Sequence, residues 1–122
     1  MIIGIGTDII EINRIERAVK SNKNFIKKVF TEKEIEMFNK RNMRSEVIAG
    51  NFAAKEAISK ALGTGIKGFS LVDIEILRDE FGKPIAQLSN TIGAIVNKEY
   101  RVNISISHNK TSAIAFAILE EL

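Results

Sequence analysis

The chain has 122 residues, a net charge of +3 and no cysteine. A chain of this length suits one domain with a modest core, and 45% hydrophobic against 27% charged residues excludes disorder throughout. The missing cysteines exclude disulfides, thiolate catalysis and cysteine-bound metals. The apolar start, Met1-Ile-Ile-Gly-Ile-Gly-Thr-Asp8, lacks the basic region of a signal peptide. No run approaches the length of a membrane span. The expectation is one cytoplasmic domain over residues 1–122, with no membrane partner.

In chain order, residues 2–7 predict a short buried strand, with Asp8 where the chain leaves the sheet. Residues from about 10 to 21 predict a helix that buries Ile12, Ile15 and Val19 and presents Arg14, Arg17 and Lys20 on the opposite side. Residues 9–30 hold six basic residues against two acidic ones, a local basic surface that favours an acidic partner. Phe25, Ile26, Val29 and Phe30 predict a second, short helix. Thr31 and Glu34 have capping-box spacing, so a third helix follows with Ile35 and Phe38 inward. The longest helix is expected from about Arg44 to Leu62, stopped by Gly63. Its alanines at 49, 53, 54, 57 and 61 permit close packing. Val72, Ile74 and Ile76 alternate with acids, predicting a strand. A turn over 79–84 leads to a strand near 85–88, and Ser89 caps a helix carrying Ile92, Ile95 and Val96. Residues 102–107 and 113–118 alternate again and predict a hairpin around 108–111. Helices early and strands late make an α+β domain, with the early helices packed on a largely antiparallel sheet.

Four features carry chemistry. Asp8 is either a ligand for a hard cation such as Mg²⁺ or the cap of the next helix. Phe52, Glu56 and Lys60 share one side of the long helix. Glu56 and Lys60 are then either an ordinary surface pair or a carboxylate and an ammonium serving a buried site. His108, the only histidine, is a turn residue or a phosphate donor. The loop at 63–68 offers backbone N–H groups to a phosphate but lacks the order of a P-loop. No helix-turn-helix pattern or aromatic platform supports nucleic-acid binding.

Taken together, these stretches resemble a family. Gly4-Ile-Gly-Thr-Asp-Ile-Ile-Glu-Ile12 is similar to the N-terminal signature of small bacterial holo-acyl-carrier-protein synthases, which have the 4′-phosphopantetheinyl transferase fold. Asn51-Phe-Ala-Ala-Lys-Glu-Ala57 with Lys60-Ala-Leu-Gly-Thr-Gly65 resembles their central signature. Asp73-Ile-Glu-Ile76, Gly82-Lys-Pro84 and Ser105-Ile-Ser-His108 fit further downstream. The resemblance implies Asp8 and Glu56 as Mg²⁺ ligands completed by the coenzyme A pyrophosphate, and Lys60 as the phosphate-neutralising lysine. It implies His108, Gly65, Pro84 and, from the central signature, Asn51 and Lys55 at coenzyme A, and a basic first helix (Arg14, Arg17, Lys20) docking an acidic acyl carrier protein. Glu56 is the expected acceptor of the serine proton. Small members are trimers with active sites between subunits, so a homotrimer is expected here.

Two positions depart from the family. Its usual arginine before Phe-Ala-Ala-Lys-Glu is Asn51, which leaves Lys55 or Lys67 as substitute cations at coenzyme A. Its usual threonine after the histidine is Asn109, which leaves Asn109 or Thr111 to supply that hydrogen bond. The implied reaction moves 4′-phosphopantetheine from coenzyme A to a carrier-protein serine, for fatty acid biosynthesis. The alternatives are a Mg²⁺-dependent phosphate-ester hydrolase and a non-catalytic module for an acidic protein.

Overall fold

The computed structural model describes residues 1–64 and 66–122. Strand β1 (Ile2–Glu11) leads into α1 (Ile12–Ser21), α2 (Phe25–Val29), α3 (Glu32–Lys40) and the long α4 (Ser45–Ala61). A 3-10 turn (Leu71–Asp73), β2 (Ile74–Arg78), β3 (Pro84–Leu88), α5 (Asn90–Val96), β4 (Tyr100–His108) and β5 (Ser112–Glu121) complete the chain. The fold is α+β, as expected. The strands form two antiparallel sheets, one ordered β1-β5-β4 and one pairing β2 with β3.

Helix α4 lies across all three strands of the larger sheet. Alanines make this possible. Ala53, Ala57 and Ala61 of the helix and Ala113, Ala115 and Ala117 of β5 are all buried. Gly4 and Gly6 of β1 complete the approach. A Cβ at Gly6 would stand 1.9 Å from the Ala57 carbonyl oxygen, and one at Gly4 1.9 Å from that of Ala61. Strand and helix therefore touch backbone to backbone, which only glycine permits. Gly63 ends the helix region with φ of 78°, in the left-handed conformation expected of a stop.

The Thr31–Glu34 capping box is complete: Thr31 Oγ1 accepts from Glu34 N at 3.2 Å, and Glu34 Oε1 accepts from Thr31 N at 3.0 Å. Helix α1 buries Ile12 and Ile15 and half-buries Val19, and Phe38 of α3 is buried. These side chains join Phe30 and Ile48 in a second core beneath the early helices.

Several boundaries differ from expectation. Strand β1 runs on to Glu11, because β5 is long enough to pair with it as far as Glu11↔Ser112. Asp8 therefore sits within the strand opposite Ala115 and caps nothing; the N-cap of α1 is Glu11. Val72 belongs to the 3-10 turn and not to a strand. Ser89 stands at the N-cap of α5, but its hydroxyl donates to Asp73 Oδ1 at 2.8 Å and serves no helix N–H. On β5 the small side chains face the helix, and the bulky Ile114 and Phe116 are 45% and 40% exposed.

Candidate active site

Asp8 comes from β1 and Glu56 from α4, and both line a cavity of about 250 Å³ with Arg14 of α1 and the rings of Phe25 and Phe52. Direct strand-on-helix packing at Gly6 and Ala57 brings the two carboxylates to one wall. Lys60, one turn beyond Glu56, donates from Nζ to Asp8 Oδ1 at 3.2 Å and to the Thr7 carbonyl at 2.9 Å. Glu56 has no hydrogen bond or ion pair among the described residues. Burial raises its pKa first, the neighbouring Asp8 charge raises it further, and Lys60 opposes both. A half-buried carboxylate without a partner, beside a second carboxylate, is a donor set that fits a hard divalent cation. Mg²⁺ is typically held by one or two carboxylates with water and substrate phosphates for the rest. No third His, Cys, Asp or Glu joins the pair among the described residues.

His108 ends β4, as expected, but on the other flank of α4. It lines a separate cavity of about 190 Å³ with Pro84, Arg41, Arg78 and Glu46. Within one chain the structure thus divides the expected site residues. Asp8, Glu56, Lys60 and Arg14 gather beside β1, while His108 and Pro84 gather beside β4. Gly65 lies outside the described residues. Arg17 is exposed on α1, and Lys20 pairs with Glu16 at 2.9 Å on the same helix.

Asn51 and Lys55 are not surface groups, a departure from their expected contact with coenzyme A. Both are 0% exposed. Lys55 Nζ donates to Glu34 Oε1 at 2.6 Å, to the Val29 and Leu71 carbonyls at 2.9 Å each, and to the Ile74 carbonyl. Those oxygens surround the ammonium, so it has no donor left for a phosphate. Burial pushes the Glu34 carboxyl up and the Lys55 ammonium down, each restrained by the other's charge. Lys67 is exposed after α4. Asn109 closes the β4–β5 turn, its Oδ1 accepting from Thr111 N at 2.9 Å, Thr111 Oγ1 at 3.2 Å and Ser112 N at 2.8 Å.

The model for the 4′-phosphopantetheinyl transferase superfamily matches residues 4–118. The chain belongs to that superfamily. A holo-[acyl-carrier-protein] synthase of Clostridium perfringens is 63% identical over 126 residues, covering 98% of this chain and 95% of that protein. A crystal structure of a Bacillus anthracis holo-(acyl-carrier-protein) synthase in complex with CoA (3′,5′-ADP) superposes with a TM-score of 0.84 at 42% identity, covering 100% of this chain and 99% of that one. A Neisseria meningitidis holo-[acyl-carrier-protein] synthase reaches 0.89 at 35% identity, covering 99% of this chain and 100% of that one. Membership in this transferase superfamily sets aside the hydrolase and the non-catalytic module.

Sequence patterns do not single out Arg41 and Arg78, which line the same cavity as His108. Arg78 leaves one signal all the same. It follows Ile74 and Ile76 at period two on the buried face of β2. A basic residue on an inward face needs a reason to be there.

Proposed function

We propose that this protein is a holo-[acyl-carrier-protein] synthase, transferring 4′-phosphopantetheine from coenzyme A to a serine of apo-acyl carrier protein for fatty acid biosynthesis. The observation that carries the reading is the convergence of Asp8 and Glu56 on one cavity wall, with Lys60 bonded to Asp8, in a chain of this superfamily. The serine oxygen attacks the β-phosphorus of the pyrophosphate and forms the new P–O bond. The bond to adenosine 3′,5′-bisphosphate breaks, and that group leaves with the electron pair. Asp8 and Glu56 would hold Mg²⁺, which supplies charge stabilisation to the pyrophosphate when bound. Lys60 turns its ammonium from Asp8 to the phosphate oxygens and offsets the charge of the leaving group. Glu56 accepts the serine proton. The phenyl rings of Phe25 and Phe52 limit water in the cavity. Arg14 stands at its mouth, and with Arg17 and Lys20 it meets an acidic carrier protein.

The protein acts as a homotrimer in the cytoplasm, with residues 1–122 forming one transferase domain. Support for the trimer is twofold. The metal pair and His108 lie on opposite flanks of α4, which suits a site in which a neighbour's β4 flank completes the β1 flank. The open face of the larger sheet also leaves Ile5 59%, Ile9 67%, Ile114 45% and Phe116 40% exposed, an apolar face that association would cover.

Intact-mass spectrometry of apo-acyl carrier protein, incubated with the enzyme, coenzyme A and Mg²⁺, tests the reaction. The expected result is a gain of one phosphopantetheine group, abolished by EDTA and by Asp8→Ala. No gain with any of several carrier proteins overturns it. A Glu56→Gln variant that still binds Mg²⁺ should lose rate and the rising limb of its pH profile. An unchanged rate and profile reassigns the base. Sedimentation showing a stable, active monomer refutes the shared site.

A further inference from the structure

Asn51 is fully buried, and a buried amide must place all its polar atoms. Its Nδ2 donates to Glu34 Oε2 at 3.0 Å and to the Ile76 carbonyl at 2.9 Å. Both N–H groups are thereby used, which fixes how the amide faces. Oδ1 points the other way and accepts from Arg78 Nη2 at 2.9 Å. Arg78 Nη1 donates to the Leu77 carbonyl at 3.3 Å. A guanidinium has five N–H groups, so the anchor leaves donors over.

Neither Arg78 nor Arg41 makes an ion pair among the described residues. They share the walls of two cavities, the 190 Å³ one with His108 and another of about 370 Å³. The acids that line these cavities bond elsewhere. Glu46 pairs with Arg44 at 2.6 Å, Glu36 with Lys40 at 3.7 Å, and Asp79 Oδ1 accepts from the backbone N–H of Phe81 and Lys83. Burial and then the like charge of Arg41 lower the Arg78 pKa, and the Glu34 charge behind Asn51 opposes them. Two guanidiniums lining one cavity, neither engaged in an ion pair among the described residues, are what a phosphate fits. The anchor matters as well: an amide oxygen orients a guanidinium without cancelling its charge, whereas a carboxylate would cancel it.

We propose that Arg78, held by the Asn51 amide, is the cation that grips a phosphate group of coenzyme A in the cavity shared with Arg41 and His108. It takes the part for which the resemblance leaves a gap at position 51. Asn51 is a positioning residue. The inference rests on the transferase reading for the identity of its ligand.

The probe is adenosine 3′,5′-bisphosphate, titrated calorimetrically into the intact protein, with coenzyme A kinetics alongside. Arg78→Met should weaken binding roughly 10- to 100-fold, the range for losing a charged hydrogen-bond pair. The KM for coenzyme A should rise by a similar factor, with a smaller change in kcat. Arg78→Lys should fall between, because it keeps the charge and loses the fork. Asn51→Ala should weaken binding in the wild-type background and leave it unchanged in the Arg78→Met background. Wild-type affinity in Arg78→Met or Arg78→Lys overturns the proposal, as does an equal Asn51→Ala loss in both backgrounds. If Asn51→Ala fails to fold, the two Arg78 variants decide. Normal transfer with undiminished Arg78→Met binding sinks the anion site and spares the transferase. Bisphosphate binding that depends on Arg78, with no transfer to any carrier protein, does the reverse.

Discussion

Replacing Gly6 with alanine tests whether the metal pair depends on backbone contact between β1 and α4. The new Cβ would lie 1.9 Å from the Ala57 carbonyl oxygen and 2.9 Å from both the Ala57 carbonyl carbon and the Ala61 nitrogen. Real Cβ contacts essentially never fall below 3.0 Å, so strand and helix must part by about 1.1 Å. No flexible side chain can yield, because every clashing atom is backbone. Overpacking of this kind costs about 1–3 kcal/mol. The displacement also reaches the site. Asp8 is two residues along the same strand, and Glu56 immediately precedes Ala57. A misplacement of ~1 Å at a reacting centre costs about 100-fold in rate. Gly6→Ala should therefore lower both the urea midpoint and the transfer rate, with a rate loss larger than the unfolded fraction explains. Gly93→Ala is the control. Gly93 lies inside α5 with nothing within 4 Å of an added Cβ, so the change should stabilise by roughly 0.5–1 kcal/mol. A Gly6→Ala protein of wild-type stability and rate would refute the packing argument.

Other outcomes follow from the same contacts. Lys55→Met leaves the Glu34 carboxylate buried without its partner, and should cost about 3–5 kcal/mol in urea unfolding. A loss below ~1 kcal/mol would mean that Glu34 takes up a proton at little cost. Asp73 Oδ2 accepts from Ser70 N at 2.8 Å and Oδ1 from Ser89 Oγ at 2.8 Å. The Ser70 backbone bond is the main cause of its lowered pKa, and the Ser89 hydroxyl adds to it. A carboxyl lowered by folding stabilises above its unfolded pKa, and that stability is lost as pH falls through the folded value. Asp73→Asn should thus cost roughly 1–2 kcal/mol at neutral pH, with the gap closing below the ordinary aspartate range in chemical unfolding. A gap that is constant with pH would contradict this. Mn²⁺ binding followed by electron spin resonance should weaken in Asp8→Asn and in Glu56→Gln and be lost in the double variant, because each carboxylate supplies part of the site; retention in the double variant would exclude the pair as ligands.

Local rules made much of this fold legible. The Thr31–Glu34 spacing announced the start of α3, and Gly63 the stop after α4. Alternation announced β4 and β5, and an apolar row at helical spacing announced the inward face of α1. Each depends on neighbours within a few residues, so the chain's own order is enough. The site was legible in part for the same reason: Phe52, Glu56 and Lys60 share a helix face by spacing alone. The resemblance supplied Asp8 as their partner.

Tertiary structure decided what each face meets. Periodicity shows that Ile114 and Phe116 share a face opposite Ala113 and Ala115. It does not show that the alanines lie inward, which follows from the close approach of α4 to Gly4 and Gly6. The capping box accounts for one oxygen of Glu34. That Glu34 also receives Asn51, Lys55 and the Ile76 N–H depends on where α4 and β2 cross α3. The same crossing buries Lys55, a lysine whose sequence neighbours read as a phosphate site. Asp8 and Glu56 are 48 positions apart in the chain, and Asn51 and Arg78 are 27 apart. Composition and spacing determined the elements and their faces, since these rest on local backbone geometry. Only the packing of β1 and β2 against α4 joined those distant residues into sites, because contact between elements depends on the shapes of both.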